Sequence, residues 1–401
     1  MSPMPQSRLC VLVLNAGSSS IKFAAYLADK NDVGPVLRGQ AAGIGTHPIL
    51  SGQDANGAAL EVDPGKVPGS GADHAAALAA IMAHLPGWVP NFRLAAAGHR
   101  VVHGGAEFTE PVRVTPEILE RLAALSPLAP HHQPHNVAAI RAVAAMAPDL
   151  VQVACFDTAF HAAQPAAARR LGLPRTYEDK GLRRYGFHGL SYEYITGAFS
   201  RITRHPLPER TIIAHLGNGC SLAAVRAGRG IATTMGFSTV DGVPMATRSG
   251  AVDPGALLYL MREHGLDHEG LRDLLYNRSG LLGVSGISAD MKTLLESSEP
   301  TAREAVEFFC YRVAREIGSL AMALEGLDAL VFTGGIGERA QPVRAAICRA
   351  AAWMGLDLDD AANARAATCI SKSGARVSAW IVPTDEESVI ARHTLRLIEG
   401  H

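Results

Sequence analysis

The chain has almost no net charge. Its 37 Lys and Arg stand against 38 Asp and Glu, a balance of −1 at pH 7. No global field therefore steers it towards nucleic acid or a membrane surface, and any anion site has to be assembled locally. Paired cysteines are missing as well: the six, at positions 10, 155, 220, 310, 348 and 369, are scattered and form no CxxC motif. Most sit in apolar runs, so they read as reduced core residues of a cytoplasmic protein rather than as a disulfide framework. No apolar run approaches the length of a bilayer span, and the N-terminus lacks a basic segment followed by a long apolar core. What is present is an ordinary globular composition, 48% hydrophobic and 19% charged, and 401 residues leave room for two domains with separate cores.

The organising stretch is residues 9–26, LCVLVLNAGSSSIKFAAY. An apolar, β-branched-rich run breaks at Asn15-Ala16-Gly17-Ser18-Ser19-Ser20 and resumes with period two at Ile21, Phe23 and Ala25, which predicts strand, tight turn, strand. Nothing in the turn is larger than a hydroxymethyl, so backbone N–H groups and three hydroxyls can approach an anion, with Lys22 close behind. A plain hairpin with a polar tip fits these residues equally well. A second unit of the same kind, TIIAHLGNGCSLAAV at 211–225, favours the anion turn and suggests a duplicated architecture with two domains facing a cleft.

Other stretches carry chemistry between and beyond these units. Residues 95–105, AAAGHRVVHGG, place Arg100 on a strand entering a glycine turn, either as a surface ion-pair partner or as a bidentate anion ligand; the second is favoured. The apolar strand at 151–156 ends in Asp157, a position suited to a catalytic carboxylate, although a helix cap stays open. His131, His132 and His135 hint at a metal, but prolines interrupt their spacing and no acidic or Cys ligand lies nearby, which argues against zinc. Asp73, Thr115-Pro116, Asn136, Asp253-Pro254 and the pattern Thr301-x-x-Glu304 are expected helix starts. A basic and aromatic knot follows at 183–189, then a glycine-rich functional loop at 233–255 carrying Arg248. The strand at 329–333 runs into Gly334-Gly335-Ile336-Gly337-Glu338, a turn that allows close approach by a nucleotide.

Taken in order, eight of these motifs resemble the acetate kinase family, more broadly the acetate/propionate kinases. They are Leu14 to Ser20, Gly98-His99-Arg100-Val101-Val102-His103-Gly104-Gly105, Phe156-Asp157-Thr158-Ala159-Phe160-His161, Tyr185-Gly186-Phe187-His188-Gly189, His215-Leu216-Gly217-Asn218-Gly219, Met245-Ala246-Thr247-Arg248-Ser249-Gly250, Phe332 to Glu338, and Pro383-Thr384-Asp385-Glu386-Glu387. The resemblance implies an α/β fold of two duplicated actin-like (ribonuclease H-like) domains with a nucleotide cleft between them. It places the first at 1–161 plus a returning helix at 388–401, the second, with most of the nucleotide site, at 162–387, and implies a homodimer. It implies the reaction ATP + acetate ⇌ ADP + acetyl phosphate, with Mg²⁺ or Mn²⁺, on acetate or another short-chain fatty acid, and with no nucleic-acid or membrane partner. By motif, Asn15 and Glu386 hold the metal, Lys22 contacts phosphate, Arg100 binds the carboxylate, and Asp157, His188 and Arg248 are catalytic. Val102, Leu128, Phe187 and Thr239 line the acyl pocket. His215, Leu216, Gly217, Asn218 and Gly219, Asp290, Met291 and Lys292, and Gly335, Ile336, Gly337, Glu338 and Arg339 line the nucleotide site.

Several positions depart from the family pattern. Asp290-Met291-Lys292 stands for Asp-Phe-Arg, Arg339 for Asn, Thr239 for a pocket Pro, and Gly189-Leu190-Ser191-Tyr192 for Gly-Thr-Ser-His, the last expected to be a packing change. Two rivals follow: a propionate, butyrate or pyrophosphate-using kinase of the same fold, and a non-catalytic nucleotide switch. The switch has no need for Arg100, His188 and Arg248 around a small acid.

Overall fold

Strand pairing in the computed structural model, which describes residues 8–27 and 34–399, builds two sheets with one plan. The first contains β1 (Arg8–Ala16), β2 (Ser20–Leu27), β3 (Pro35–Ala42), β4 (Ile49–Asp54), β5 (Phe92–Val101), β6 (Val112–Arg113) and β7 (Val151–Phe156), in the order β4-β3-β2-β1-β5-β7-β6. The second contains β8 (Arg210–Leu216), β9 (Cys220–Arg226), β10 (Arg229–Thr233), β11 (Ala329–Thr333) and β12 (Ser378–Ile381), in the order β10-β9-β8-β11-β12. In each, an antiparallel meander (β1-β2-β3 or β8-β9-β10) is extended by two strands parallel to its first. The shared order is the structural form of the duplication read from the two glycine-serine turns. The start of the 29–71 stretch, expected to complete the first sheet with short strands, lies outside the described residues; β3 and β4 occupy the rest.

The chain divides into two compact units, Met1–Ala159 with Asp385–His401, and Phe160–Thr384. In the first, Leu12, Leu14, Ile21 and Phe23 pack with Leu78, Ile81 and Leu85 of the helix His74–Trp88, and Trp88 stacks on Phe23 at 5.7 Å. The C-terminal helix Glu386–Glu399 lies on the same sheet, burying Val389, Ile390, Thr394 and Leu395. Only glycine fits opposite it at Gly98: a methyl group there would lie 2.4 Å from Thr394 Oγ1. Arg38 on β3 secures the entry to this helix by donating to Asp385 at 2.5 Å. In the second unit the helix Pro300–Ala323 buries Phe309, Val313, Ile317 and Leu320 along one stripe.

Two expected helix starts differ. The long helix begins at Pro300, with Glu299 at the cap making no side-chain bond; the capping box Thr301/Glu304 does not form because proline sets the first turn one residue earlier. The helix expected to be capped by Asn136 begins at Gln133, and Asn136 lies inside it with its amide turned into the core. Asp73, Thr115 and Asp253 cap as expected. Among the described residues no helix is long and apolar enough to cross a membrane.

Candidate active site

In the first unit, register decides which side chains meet. β1 and β5 are parallel with Leu14 beside His99, so Asn15 comes out next to Arg100. β5 and β7 are parallel with Val101 beside Phe156, which brings Asp157 out just beyond. All three positions lie at the carboxyl ends of parallel strands, where open α/β sheets place their ligands. Arg100 donates through Nε to both oxygens of Asp157 at 3.1 Å and through Nη2 to Oδ2 at 2.5 Å. Its Nη1 donates to Asn15 Oδ1 at 3.2 Å, and Glu386 Oε2 stands 3.9 Å from its Nε. Asp157 is 1% exposed, so its charge is answered by the guanidinium rather than by water.

The electrostatics follow from this crowding. Burial opposes the charge on Arg100, yet Asp157 and Glu386 outweigh it and hold the guanidinium firmly protonated. Burial pushes the Glu386 carboxyl up to about 7; Arg100 pulls against that shift, Asp157 and Glu387 add to it, and Lys22 opposes it from across the strand pair. Oxygen donors, and an ionisation held back first by burial and then by like charge, fit a hard cation. Among the described residues no group of three His, Cys, Asp or Glu side chains is arranged to hold a metal.

Asn136 supports the cluster. Its Oδ1 accepts from the Val102 N–H at 3.0 Å and its Nδ2 donates to the Ala16 carbonyl at 2.8 Å, tying the ends of β1 and β5 together. Thr158 Oγ1 likewise accepts from Gly104 N at 3.0 Å.

In the second unit β8 and β11 are parallel with His215 beside Thr333, so the turn at Gly217-Asn218-Gly219 and the turn at Gly334-Gly335 emerge together. Gly334 has φ +78°, and a methyl group on it would sit 2.7 Å from the Leu216 carbonyl oxygen; no side chain is tolerated between the two turns. His188 adopts left-handed backbone, φ 58°, ahead of the helix Gly189–Thr203, and stacks on His215 at 4.3 Å. Strain of this kind in a non-glycine residue is typical of functional positions. A methyl group at Gly219 would meet His188 Nε2 at 3.2 Å and Arg248 Nη1 at 3.7 Å, so an imidazole and a guanidinium converge on one bare backbone position. Arg248 Nη1 also donates to the Thr239 carbonyl at 3.2 Å, and Ala246 N donates to the Asn218 carbonyl at 3.3 Å, which joins the glycine-rich loop to the turn.

The remaining expected site residues are placed as follows. Val102 is buried and Leu128 half-buried in the first unit; Phe187 is buried and Thr239 half-buried in the second. Asp290 caps the helix Met291–Glu296 by accepting from Thr293 N, Met291 is buried, and exposed Lys292 pairs with Glu296 at 3.9 Å. Glu338 is committed to the turn itself, accepting from Gly334 N at 3.0 Å and Thr384 N at 3.3 Å, while Ile336 is half-buried, Gly337 buried and Arg339 exposed.

Sequence reasoning missed Asn136 as a brace and the hydroxyls behind the histidines. Ser221 Oγ hydrogen-bonds His188 Nδ1 at 2.8 Å, and Ser191 Oγ hydrogen-bonds His215 Nδ1 at 2.9 Å. Tyr192, expected only to change packing, also reaches Ser221 Oγ with its hydroxyl at 2.5 Å. The one available signal was helical spacing: Ser191 and Tyr192 lie three and four residues after His188.

The first unit holds a guanidinium–carboxylate cluster and the second holds paired glycine turns with an imidazole and a second guanidinium over one of them, each the kind of equipment that phosphoryl transfer uses. The family model described as Acetokinase family matches residues 10–392. This chain belongs to the acetokinase family. An acetate kinase of Rhodopseudomonas palustris (strain TIE-1) is 51% identical over 399 residues, covering 97% of this chain and 98% of that protein. An acetate kinase of Methylocella silvestris is 44% identical over 396 residues, covering 97% and 98%. Among solved structures, a propionate kinase from Francisella tularensis superposes with a TM-score of 0.88 at 33% identity, covering 96% of this chain and 99% of that one. Porphyromonas gingivalis acetate kinase superposes with 0.86 at 34% identity, covering 97% and 99%. Membership makes this acetokinase-family protein a kinase on two actin-like α/β domains, using ATP or ADP and a divalent metal.

Proposed function

We propose that the chain catalyses reversible phosphoryl transfer between ATP and acetate, giving ADP and acetyl phosphate by direct in-line displacement. The observation that carries this reading is the convergence of His188 Nε2 and Arg248 Nη1 on Gly219. A phosphoryl group in flight spreads negative charge over its equatorial oxygens, and fixed donors in a dry site stabilise that charge without having to reorganise. The acceptor carboxylate, with a pKa of roughly 4–5, is already ionised at neutral pH and needs no general base. Asp157 is accordingly a positioning group: its oxygens accept from Arg100, whose role is to orient the acid. An oxygen of that acid attacks the terminal phosphorus, and the bond to the ADP oxygen breaks as the new one forms.

Mg²⁺ is the cation proposed for Asn15 and Glu386, with Mn²⁺ as substitute; when bound it neutralises phosphate charge. Lys22, the turns at His215–Gly219 and Gly335–Arg339, and Asp290–Lys292 are proposed to hold the nucleotide, although the commitments of Asp290 and Glu338 leave their backbones rather than their carboxylates to contact it. Val102 is proposed to keep the acyl pocket short and acetate preferred over propionate, a preference that one methylene, worth about 0.8 kcal/mol, can set only modestly. Location is proposed as cytoplasmic and the assembly as a homodimer. The helices Pro254–Glu263 and His268–Asn277 have no buried residue, and Leu258, Tyr259 and Met261 are exposed on the first of them, which supports a covered face.

The test is acyl phosphate formation, trapped as the hydroxamate, with acetate and with propionate, each with MgATP. Acetate is expected to give the higher kcat/KM, and Arg248→Ala to lower kcat by about 100- to 1000-fold. A higher kcat/KM for propionate overturns the role given to Val102. No turnover of either acid sends the donor question to pyrophosphate.

A further inference from the structure

We propose that Tyr192 is a positioning residue for phosphoryl transfer, acting through Ser221 to hold His188 in the tautomer that carries its proton on Nε2. The inference rests on the role proposed for His188 and concerns a residue at which this chain departs from the family pattern.

Three atoms form a hydrogen-bonded chain: Tyr192 Oη lies 2.5 Å from Ser221 Oγ, and Ser221 Oγ lies 2.8 Å from His188 Nδ1. Tyr192 and Ser221 are fully buried, so bulk water does not interrupt the chain. A serine hydroxyl has one proton to give. If Ser221 gives it to Tyr192, the neutral imidazole must answer with Nδ1–H, and its Nε2 turns a lone pair towards the space over Gly219, where it repels phosphoryl oxygens. If Tyr192 donates instead, Ser221 is free to donate to Nδ1, and Nε2–H points at that space. A phenol is more acidic than an aliphatic alcohol and is therefore the better donor of the two hydroxyls. The second arrangement also places a donor where Arg248 Nη1 already converges. Below His188, the stacked ring of His215 has its own Nδ1 held by Ser191, so the imidazole pair is fixed from behind by hydroxyls spaced along one helix and one strand.

The experiment is ¹⁵N spectroscopy of histidine-labelled full-length protein, with His188 assigned from the spectrum of His188→Gln, alongside steady-state kinetics. In the wild type, His188 is expected to show protonated Nε2 and bare Nδ1; in Tyr192→Phe and in Ser221→Ala, the signals move towards the mixed or opposite tautomer. Tyr192→Phe is expected to lower kcat about five- to tenfold, leaving KM for MgATP and for the acid within about twofold. Protonated Nδ1 in the wild type overturns the proposal, as do tautomer signals unchanged in both variants or tautomers that move without a change in kcat. Full activity in His188→Gln overturns the role of His188 itself, and the spectra tell the two failures apart.

Discussion

Arg100 and Asp157 form a largely buried, multiply hydrogen-bonded pair with Glu386 beside the guanidinium, so a change on one side is felt on the other. Asp157→Asn keeps the shape and removes the charge. Loss of hydrogen bonds between charged groups, about 1.5–3 kcal/mol, predicts a ten- to hundredfold fall in kcat/KM. Because Asp157 orients Arg100 and takes no proton, activity of the variant is expected not to recover as pH rises; recovery in the hydroxamate assay would make Asp157 a base. His99 makes a separate prediction. Burial pushes its imidazole down to about 4. The unfolded chain therefore binds the extra proton first, at about 6.5, and stability is lost as pH falls from there towards about 4, by at most about 1.4 kcal/mol per pH unit. Chemical denaturation of His99→Gln should show a shallower acid slope than the wild type; equal slopes count against this account. At this scale the sequence was readable where a polar residue ended an apolar run, as at Asn15, Arg100 and Asp157. It was not readable at Asn136, whose cap-like identity hid a buried amide bridging two strand ends.

The elements that make the site are turns held together by missing side chains. Gly334→Ala adds a methyl group 2.7 Å from a backbone oxygen at a φ of +78°. The two turns must then separate, and KM for ATP is expected to rise at least about tenfold, with a smaller change in KM for the acid. Comparable changes in both would mean that the turns do not bind nucleotide selectively. Gly98→Val tests the other junction: overpacking against Thr394 and Ile390 is expected to cost about 1–3 kcal/mol and to lower activity by displacing Glu386 at the head of the same helix. Calorimetry and the kinase assay check the two halves of that statement. Strand–turn–strand units were legible because their periodicity and turn chemistry are local. Helix starts were less so: Pro300 and Pro134 each overrode a plausible capping residue downstream.

Duplication is the feature of the whole molecule that the sequence showed most plainly, as two glycine-serine turns, and five strands of each sheet repeat it in order, the first sheet adding β4 and β6 at its edges. The exposed helices Pro254–Glu263 and His268–Asn277 give the proposed homodimer its test: the wild type is expected to sediment as a dimer at micromolar concentration and Leu258→Asp as a monomer. A wild-type monomer, or a variant that stays dimeric, moves the interface elsewhere. The first unit is also discontinuous, its sheet made from residues before 160 and its last helix from residues after 384. During translation, then, Arg100 and Asp157 leave the ribosome long before Glu386, and the surface around Gly98 waits uncovered while the whole second unit is made. The nascent protein passes through a long interval with an open sheet face, when chaperones have the most to bind. The carboxylate proposed for the metal arrives with that helix, so competence to react comes only after the whole second unit has been made.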